Sequence, residues 1–460
     1  YNLSLGAGSE VSDFSLLPKL TYLKMLDLEG INLEHIGPKD LQSDSITKLT
    51  IGDDYSTHAT TTLQSLELDG SLPSLQQLTV EDSSTITKVS VKNLPVLEEL
   101  RAEDLTSLDD ATVENLPALS NLDLYNDPKL ATLNASGLDK VNDLTISKDA
   151  FSEFDLKSFP GLIDFDASDN QLSSLDLSNV NLTSLNLANN QFKSIDLSKQ
   201  THLGTLYLQG NQLSEIDLAG LEYLSTVDLS YNQLTTFDAP DAHGDDVSFD
   251  ELRNEGEYKA GLRTLSLNGN KLTTFDASLF PQVTQLDLSD NQLTSFTPNH
   301  VVASLNLTNN NLTGTLNISG ASHLINLAAS GNAFSYIAND VPDISVISQY
   351  VWNYVADEHV RANTYEVDGH WYVNVRDLIG DADASDEDAK NDLAYVHVDT
   401  SKWQMRDDGT AIYIGEGRPT SFEYDGMVSH MEWTTASAVQ FQADYHVTAA
   451  LTPGADSDIK

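Results

Sequence analysis

The residues with the clearest capacity for chemistry are acids. From Asp381 the chain carries oxygen side chains at Asp381, Asp383, Ser385, Asp386, Glu387 and Asp388, spaced like the start of a calcium loop. Asp386 stands where such a loop needs glycine, and Asp392 where it needs glutamate. The stretch 381–392 therefore reads either as a weak calcium site or as a solvated acidic loop. Elsewhere there is no phosphate-binding loop, no G-x-S-x-G and no H-E-x-x-H, and Gly6-Ala7-Gly8 lacks the third glycine of a dinucleotide loop. The 11 histidines are scattered, with His359 and His370 the nearest to a pair, and a structural or surface role is expected for both. Among 70 acids, carboxylate pairs arise by chance. The absence of cysteine removes disulfides, thiolate metal sites and cysteine nucleophiles together. We expect no enzyme, no cofactor and no dedicated metal centre.

Charge narrows the partners. The chain has 460 residues, 24 Lys+Arg against 70 Asp+Glu, and a formal net charge of −46. Such a surface repels phosphate and anionic headgroups, so neither a nucleic acid nor a membrane surface is expected to bind. Basic or neutral partners remain. No run approaches 18 consecutive apolar residues, so direct membrane insertion is not expected of this chain. The sequence opens at Tyr1 on repeat-like residues without a basic-then-apolar leader, as a mature fragment would.

The elements that must position these side chains repeat along the chain. Leu182, Leu185, Leu187, Asn190, Phe192, Ile195 and Leu197 are followed at the same spacing by Leu203, Leu206, Leu208, Asn211, Leu213, Ile216 and Leu218, a period of 21. The asparagine recurs at Asn170, Asn190, Asn211, Asn232, Asn270, Asn291, Asn310 and Asn332. This L-x-x-L-x-L-x-x-N-x-L pattern is the leucine-rich-repeat signature. In L-x-L the leucines point inward from a short strand and their neighbours face solvent, with successive strands stacked in parallel about 4.8 Å apart. A buried asparagine after the strand can give its amide hydrogens to carbonyls of the bend and accept from backbone N–H groups, so the asparagines in register should form a ladder. Earlier repeats put Ile31, Asp54, Ser83, Leu105, Asp127 and Asp149 at that position, making about fourteen repeats in all. Ile31 and Leu105 cannot form the rung, so those turns must satisfy their backbones otherwise or with water. The back of each repeat reads like Ile195-Asp196-Leu197, which predicts short extended or 3₁₀ segments.

The domains follow. Residues 1–340 form the leucine-rich-repeat solenoid, with a parallel concave sheet and an extended or 3₁₀ convex side. The 38 residues from Asn232 to Asn270 leave an insertion at 241–259, where Ser248 and Glu251 read as a capping box. It is either a tolerated surface loop or a partner-binding loop. Residues 345–455 carry alternating runs such as His370–Val375, Ala411–Ile414 and Val439–Val447, which predict an immunoglobulin-like β-sandwich covering the last apolar turn.

The 21-residue repeats resemble those of bacterial internalin-type surface proteins, and Tyr372 to Gly380 (YVNVRDLIG) is similar to the V-D-L-x-x-L-V-G opening of the β-domain that follows such repeats. The resemblance implies an exported, extracellular protein of a bacterial cell surface that displays a concave recognition face to a host protein, matrix or glycan. No wall-spanning threonine- or lysine-rich stretch and no sortase signal is present in the sequence. An adhesin is one reading; a structural or scaffold module of the cell envelope is the other.

The outward strand positions are split by charge. The early repeats present Asp27, Glu29, Glu81, Glu99 and Glu103 among others against only Lys48 and Arg101, whereas the late ones show mostly Ser, Thr, Asn and Gln. At the middle of the arc, Asp123, Tyr125, Asp143, Asp164, Asp166, Tyr207 and Asp228 are the candidate binding residues. Tyr125 and Tyr207, four strands apart and so about 19 Å at 4.8 Å per strand, would anchor a basic protein segment. An acidic surface that merely keeps an exported protein soluble is the competing reading.

Overall fold

The computed structural model describes residues 1–460 apart from 7–10, 12, 55, 247–259, 319–320, 322, 325, 339–359, 368, 376–395, 407–409, 417, 420, 434–437 and 454–460. The calcium-like loop at 381–392, the capping box at Ser248 and Glu251, and much of the YVNVRDLIG stretch lie outside the described residues. The chain divides into two compact units, Tyr1–Leu224 and Ser225–Lys460.

In the first unit, L-x-L segments form short parallel strands in unbroken register from Met25–Glu29 to Thr205–Tyr207. A further strand, Asn2–Ser4, pairs beside Met25–Asp27 and was not anticipated. The second unit continues the pattern at Thr226–Asp228, Thr264–Ser266, Gln285–Asp287, Ser304–Asn306 and Asn326–Ala328. Fourteen repeat strands result, as the spacing predicts. The inward leucines are buried throughout, among them Leu182, Leu185, Leu187, Leu203, Leu206 and Leu208. Each contributes about 1.5–3 kcal/mol of burial to a core that no single repeat could close alone.

The back of the solenoid changes with the sequence. Where it reads Ser65–Asp69, Lys88–Lys92 and Asp110–Glu114, alternating apolar residues pair into a second parallel sheet that runs from His35–Ile36 to Leu133–Ser136. Where the motif becomes I/F-D-L/A, the aspartate instead accepts the N–H two residues on. Asp155, Asp176, Asp196, Asp217 and Asp276 all do so at 2.9–3.0 Å. That bond bends the chain out of the strand, leaving single 3₁₀ turns at Leu156–Ser158 and Ala277–Leu279.

The asparagine ladder is present. Asn190 Oδ1 accepts from Leu172 N at 2.9 Å, while its Nδ2 donates to Ala167 O, Leu187 O and Ala188 O at 2.9–3.2 Å. Asn211 does the same with Phe192 N and with Leu187 O and Leu208 O. Asn170, Asn270, Asn291, Asn310 and Asn332 follow suit. Just before each asparagine the chain turns through left-handed backbone, supplied by Asp169, Asn189, Gly210, Gly269, Asp290, Asn309 and Gly331, and by one bulky residue, Tyr231.

The early turns close in other ways, and one of them, at Asp54, departs from expectation. Leu105 N is satisfied by a carboxylate of the next repeat, Asp127 Oδ1 at 2.8 Å, and Asp127 N is satisfied in turn by Asp149 Oδ1 at 2.8 Å. Asp54 forms no rung; its oxygens are taken by Ser56 and Thr57 in its own loop. Ile31 is served by backbone, its N–H meeting Leu28 O and its carbonyl meeting Thr61 Oγ1 and Thr62 N.

The described part of the C-terminal region is one seven-stranded sheet, mostly antiparallel, with one parallel pair between Val360–Val367 and Ala438–Pro453. Phe422, Trp403, Val373 and Ala411 are buried within it. The expected strands are there. The two packed sheets of an immunoglobulin-like sandwich are not established by them.

Two measurements test the ladder. Replacing Asn211 with Ala removes one acceptor and a pair of donors from a buried bend, and should cost on the order of 1–3 kcal/mol in chemical denaturation. The second concerns Asp127 and Asp149, whose Oδ2 atoms are buried without a hydrogen-bond partner. Burial, reinforced by neighbouring acids, pushes Asp127 up to about 8 and Asp149 up to about 9. With folded values raised above the ordinary carboxylate value of about 3.9, the folded chain holds more protons than the unfolded one. Their contribution to stability is therefore full below about pH 4 and is lost as pH rises through those folded values. Asp149→Asn needs no proton to stay neutral, so its melting temperature should exceed the parent's at pH 7 and fall less steeply from acid to neutral pH. A parallel pair of stability profiles would show that Asp149 is ionised in the folded protein.

Candidate functional site

In the first unit the register assembles the front face in rows. Asp123, Thr145, Asp166, Asn186 and Tyr207 lie side by side on five successive strands. Asp143 and Asp164 are adjacent in the row two residues earlier, and Tyr125 lies beside Ser147 in the row two residues later. The structure therefore gathers six of the seven expected residues on one face of one unit. Tyr125 and Tyr207 belong to different rows. Asp228 belongs to the second unit, where its Oδ1 accepts from Ser230 N and Oγ.

Neighbours modify each acid. Asp166 is fixed by Ser168 N and Oγ on one oxygen and by Asn186 Nδ2 at 2.8 Å on the other. Asp164 takes the Thr183 hydroxyl at 2.8 Å. Asp143 is pushed above the usual carboxylate range by burial and then by repulsion from Asp164 and Asp166. The same two causes raise Glu29 and Glu81 farther along the face. Asp123 is the most perturbed of the row. Burial, a shared hydrogen bond with Glu103 and the charge of Glu103 push it up to about 7, against the opposing pull of Arg101, and its Oδ1 has no hydrogen-bond partner.

Two cations meet this field from within. Arg101 Nε bonds Glu103 Oε1 at 2.8 Å and lies 3.7 Å from Asp123 Oδ2. Lys148 places its ammonium 4.6 Å from the centre of the Tyr125 ring and in contact with the phenol oxygen. Sequence reasoning took Tyr125 as a free anchor; the structure shows it already engaged. The signal was available, since Lys148 lies 23 residues on in the next repeat, at the turn that follows the strand. Tyr207 is half-buried and, among the described residues, makes no side-chain hydrogen bond or ring contact.

A second feature was not anticipated. The 29-residue interval from Asp54 to Ser83 folds its extra residues back through the bridge between Asp54 and Ala59. This forms a hollow of about 470 Å³ walled by Asp53, Asp54, His58, Asp82 and Asp104. Among the described residues no group of three histidines or acids is disposed to hold a metal ion, and no helix is long and apolar enough to cross a membrane.

Comparison with known structures places the fold. The chain is similar to the functional domain of InlJ from Listeria monocytogenes, described as including a cysteine ladder, with a TM-score of 0.58 and 17% identity over 98% of this chain and 90% of that one. YopM, a leucine-rich effector protein from Yersinia pestis, matches at 0.42 and 19% identity over 63% of this chain and 82% of its own. InlP from Listeria monocytogenes matches at 0.31 and 15% identity, over 78% and 81%. No protein-family model and no curated protein sequence matches the chain. The fold is a leucine-rich-repeat solenoid like that of the InlJ domain. This chain has no cysteine, and its ladder is built of asparagine and aspartate.

The Asp123 environment can be read directly. In a carboxyl ¹³C NMR titration Asp123 should lose its proton near pH 7, and Arg101→Gln, which removes the opposing cation, should move that step higher. A step in the ordinary carboxylate range near pH 4 would overturn the account of its burial.

Proposed function

We propose that this chain is a non-enzymatic binding protein of a bacterial cell surface, an adhesin whose first unit takes a basic segment of a protein partner on its front face. The observation that carries this reading is the pair of neighbouring rows that hold Asp123 and Asp166, in line with Tyr207, and Asp143 and Asp164. Burial and mutual repulsion raise Asp123 and Asp143, so an approaching cation relieves a cost already present in the free protein. Arg101 and Lys148 indicate the chemistry that suits the face, a guanidinium between carboxylates and an ammonium over a tyrosine ring. Tyr207 supplies a ring with no partner of its own, in line with Asp123 and Asp166. A leucine-rich-repeat solenoid suits such a role because its strands hold side chains in fixed rows over a long surface.

The alternative reading, a structural or scaffold module of the cell envelope, draws on Asp164 and Asp166, which are already satisfied by Thr183, Ser168 and Asn186 and demand no partner. The two readings separate in one experiment. A lysine- and arginine-rich peptide titrated into the protein should bind with an affinity that falls steeply as salt rises. Tyr207→Ala should weaken it by about tenfold, or about 1.4 kcal/mol. Salt-insensitive binding, or an affinity unchanged in Tyr207→Ala, would defeat the adhesin reading; concentration-dependent self-association without peptide binding would favour the scaffold.

A further inference from the structure

The second unit presents a different surface. Its strands Thr264–Ser266, Gln285–Asp287, Ser304–Asn306 and Asn326–Ala328 frame a hollow of about 500 Å³. The register sets Thr264, Gln285, Ser304 and Asn326 in one row and Ser266, Asp287, Asn306 and Ala328 in the next. The wall contains one carboxylate, and both of its oxygens are engaged. Asp287 Oδ1 accepts from Ser289 N and Oγ at 2.9 and 2.6 Å, and Oδ2 accepts from Asn306 Nδ2 at 3.0 Å. That carboxylate asks for no cation. By contrast, among the described residues the side chains of Thr264, Ser266, Gln285, Ser304 and Asn326 have no hydrogen-bond partner in the protein. They leave hydroxyl and amide groups, able both to donate and to accept, spaced about 4.8 Å apart from strand to strand.

Over the turn that follows the hollow's first strand lies an aromatic ring held at a conformational cost. Tyr231 has φ 53°, in a turn position that the other repeats of this unit fill with Gly269, Asp290, Asn309 and Gly331. A bulky side chain in left-handed backbone is an outlier, and such strain gathers where a side chain is kept for contact. The ring lies over Gly269, where even a Cβ would come within 2.7 Å of Tyr231 Cδ1. Glycine there is what leaves room for the ring over this turn, and Tyr231 remains 61% exposed.

We propose that this hollow is a binding site for a neutral oligosaccharide, with the exposed Tyr231 ring, over the turn that follows its first strand, as the stacking platform. Sugar hydroxyls are simultaneously donors and acceptors, matching the unengaged serine, threonine, asparagine and glutamine side chains. The C–H face of a pyranose lies against an aromatic ring, and an uncharged ligand is the complement of a wall whose single charge is already satisfied. This site is separate from the acidic face of the first unit and does not rest on its reading.

The test uses the full chain on an array of uncharged gluco-, galacto-, manno- and N-acetylglucosamine oligosaccharides, with uncharged peptides alongside and calorimetry on any hit. At least one neutral oligosaccharide should bind saturably, with an affinity indifferent to salt. Gln285→Ala combined with Asn326→Ala should weaken it at least about tenfold. Tyr231→Asn should weaken it too while raising the melting temperature, because asparagine tolerates the left-handed turn, and this opposite movement excludes simple misfolding. Binding of the basic peptide should survive in all of these variants, which separates failure here from failure of the adhesin reading. An array without a neutral sugar hit, a hit only among the peptides, or sugar affinity unchanged in both variants would overturn the proposal.

Discussion

The rung that each turn extends to its neighbour is the interaction on which the rest of the structure depends. A parallel strand of three to seven residues cannot hold its place by its own hydrogen bonds, and the bend after it exposes N–H and C=O groups to an apolar core. One buried side chain resolves both difficulties. Asn190 reaches a donor on the preceding repeat and carbonyls on two turns, so the bends are locked at the same height. The locked height keeps the leucines in stacked layers, and it also keeps the outward residues in straight rows. The rows of acids and of neutral amides are by-products of a constraint that acts on the opposite side of the strand.

Where the rung is an aspartate the same logic carries a proton. Asp127 and Asp149 can accept from backbone with one oxygen, but their other oxygens are buried without a donor. An asparagine meets that environment with N–H groups; an aspartate meets it only as a neutral acid. The first unit thus combines protonated acids inside with a field of acids outside, and both make it more comfortable at acid pH. The exposed aspartates on the back behave oppositely. Asp176 and Asp196 are held below the usual carboxylate range by the serine that follows two residues later, and they stay charged.

Periodicity made the fold readable before any coordinate. The inward leucines, the eight asparagines and the outward positions are all set by a repeat of 21, and the structure keeps them. The departures share a cause, which is that a partner was closer than the pattern implied. Asp54 occupies the rung position, yet the hydroxyls of Ser56 and Thr57 reach it first. Leu105 offers no rung of its own, as expected, but the donor to be met is its N–H and the side chain that meets it comes from the following repeat, Asp127. Tyr125 read as an anchor because its position faces outward; the Lys148 that covers it comes from a turn, a place the strand pattern does not describe. The pattern gives no sign of the left-handed backbone at Tyr231, because the neighbouring repeats meet the same turn with glycine, aspartate or asparagine.

One scaffold can therefore present two chemistries without changing its core. The row that carries Asp123 and Asp166 in the first unit corresponds, repeat by repeat, to the row that carries Ser266, Asp287 and Asn306 in the second. What differs is whether the carboxylates are compensated. Asp287 receives an amide from Asn306 and two donors from Ser289, so it adds little field. Asp143 faces Asp164 across one strand spacing and is raised by it. Screening weakens the second situation and leaves hydrogen bonds of the first almost untouched. Ionic strength thereby divides what either face can hold, and it does so through side chains at the same position of the repeat.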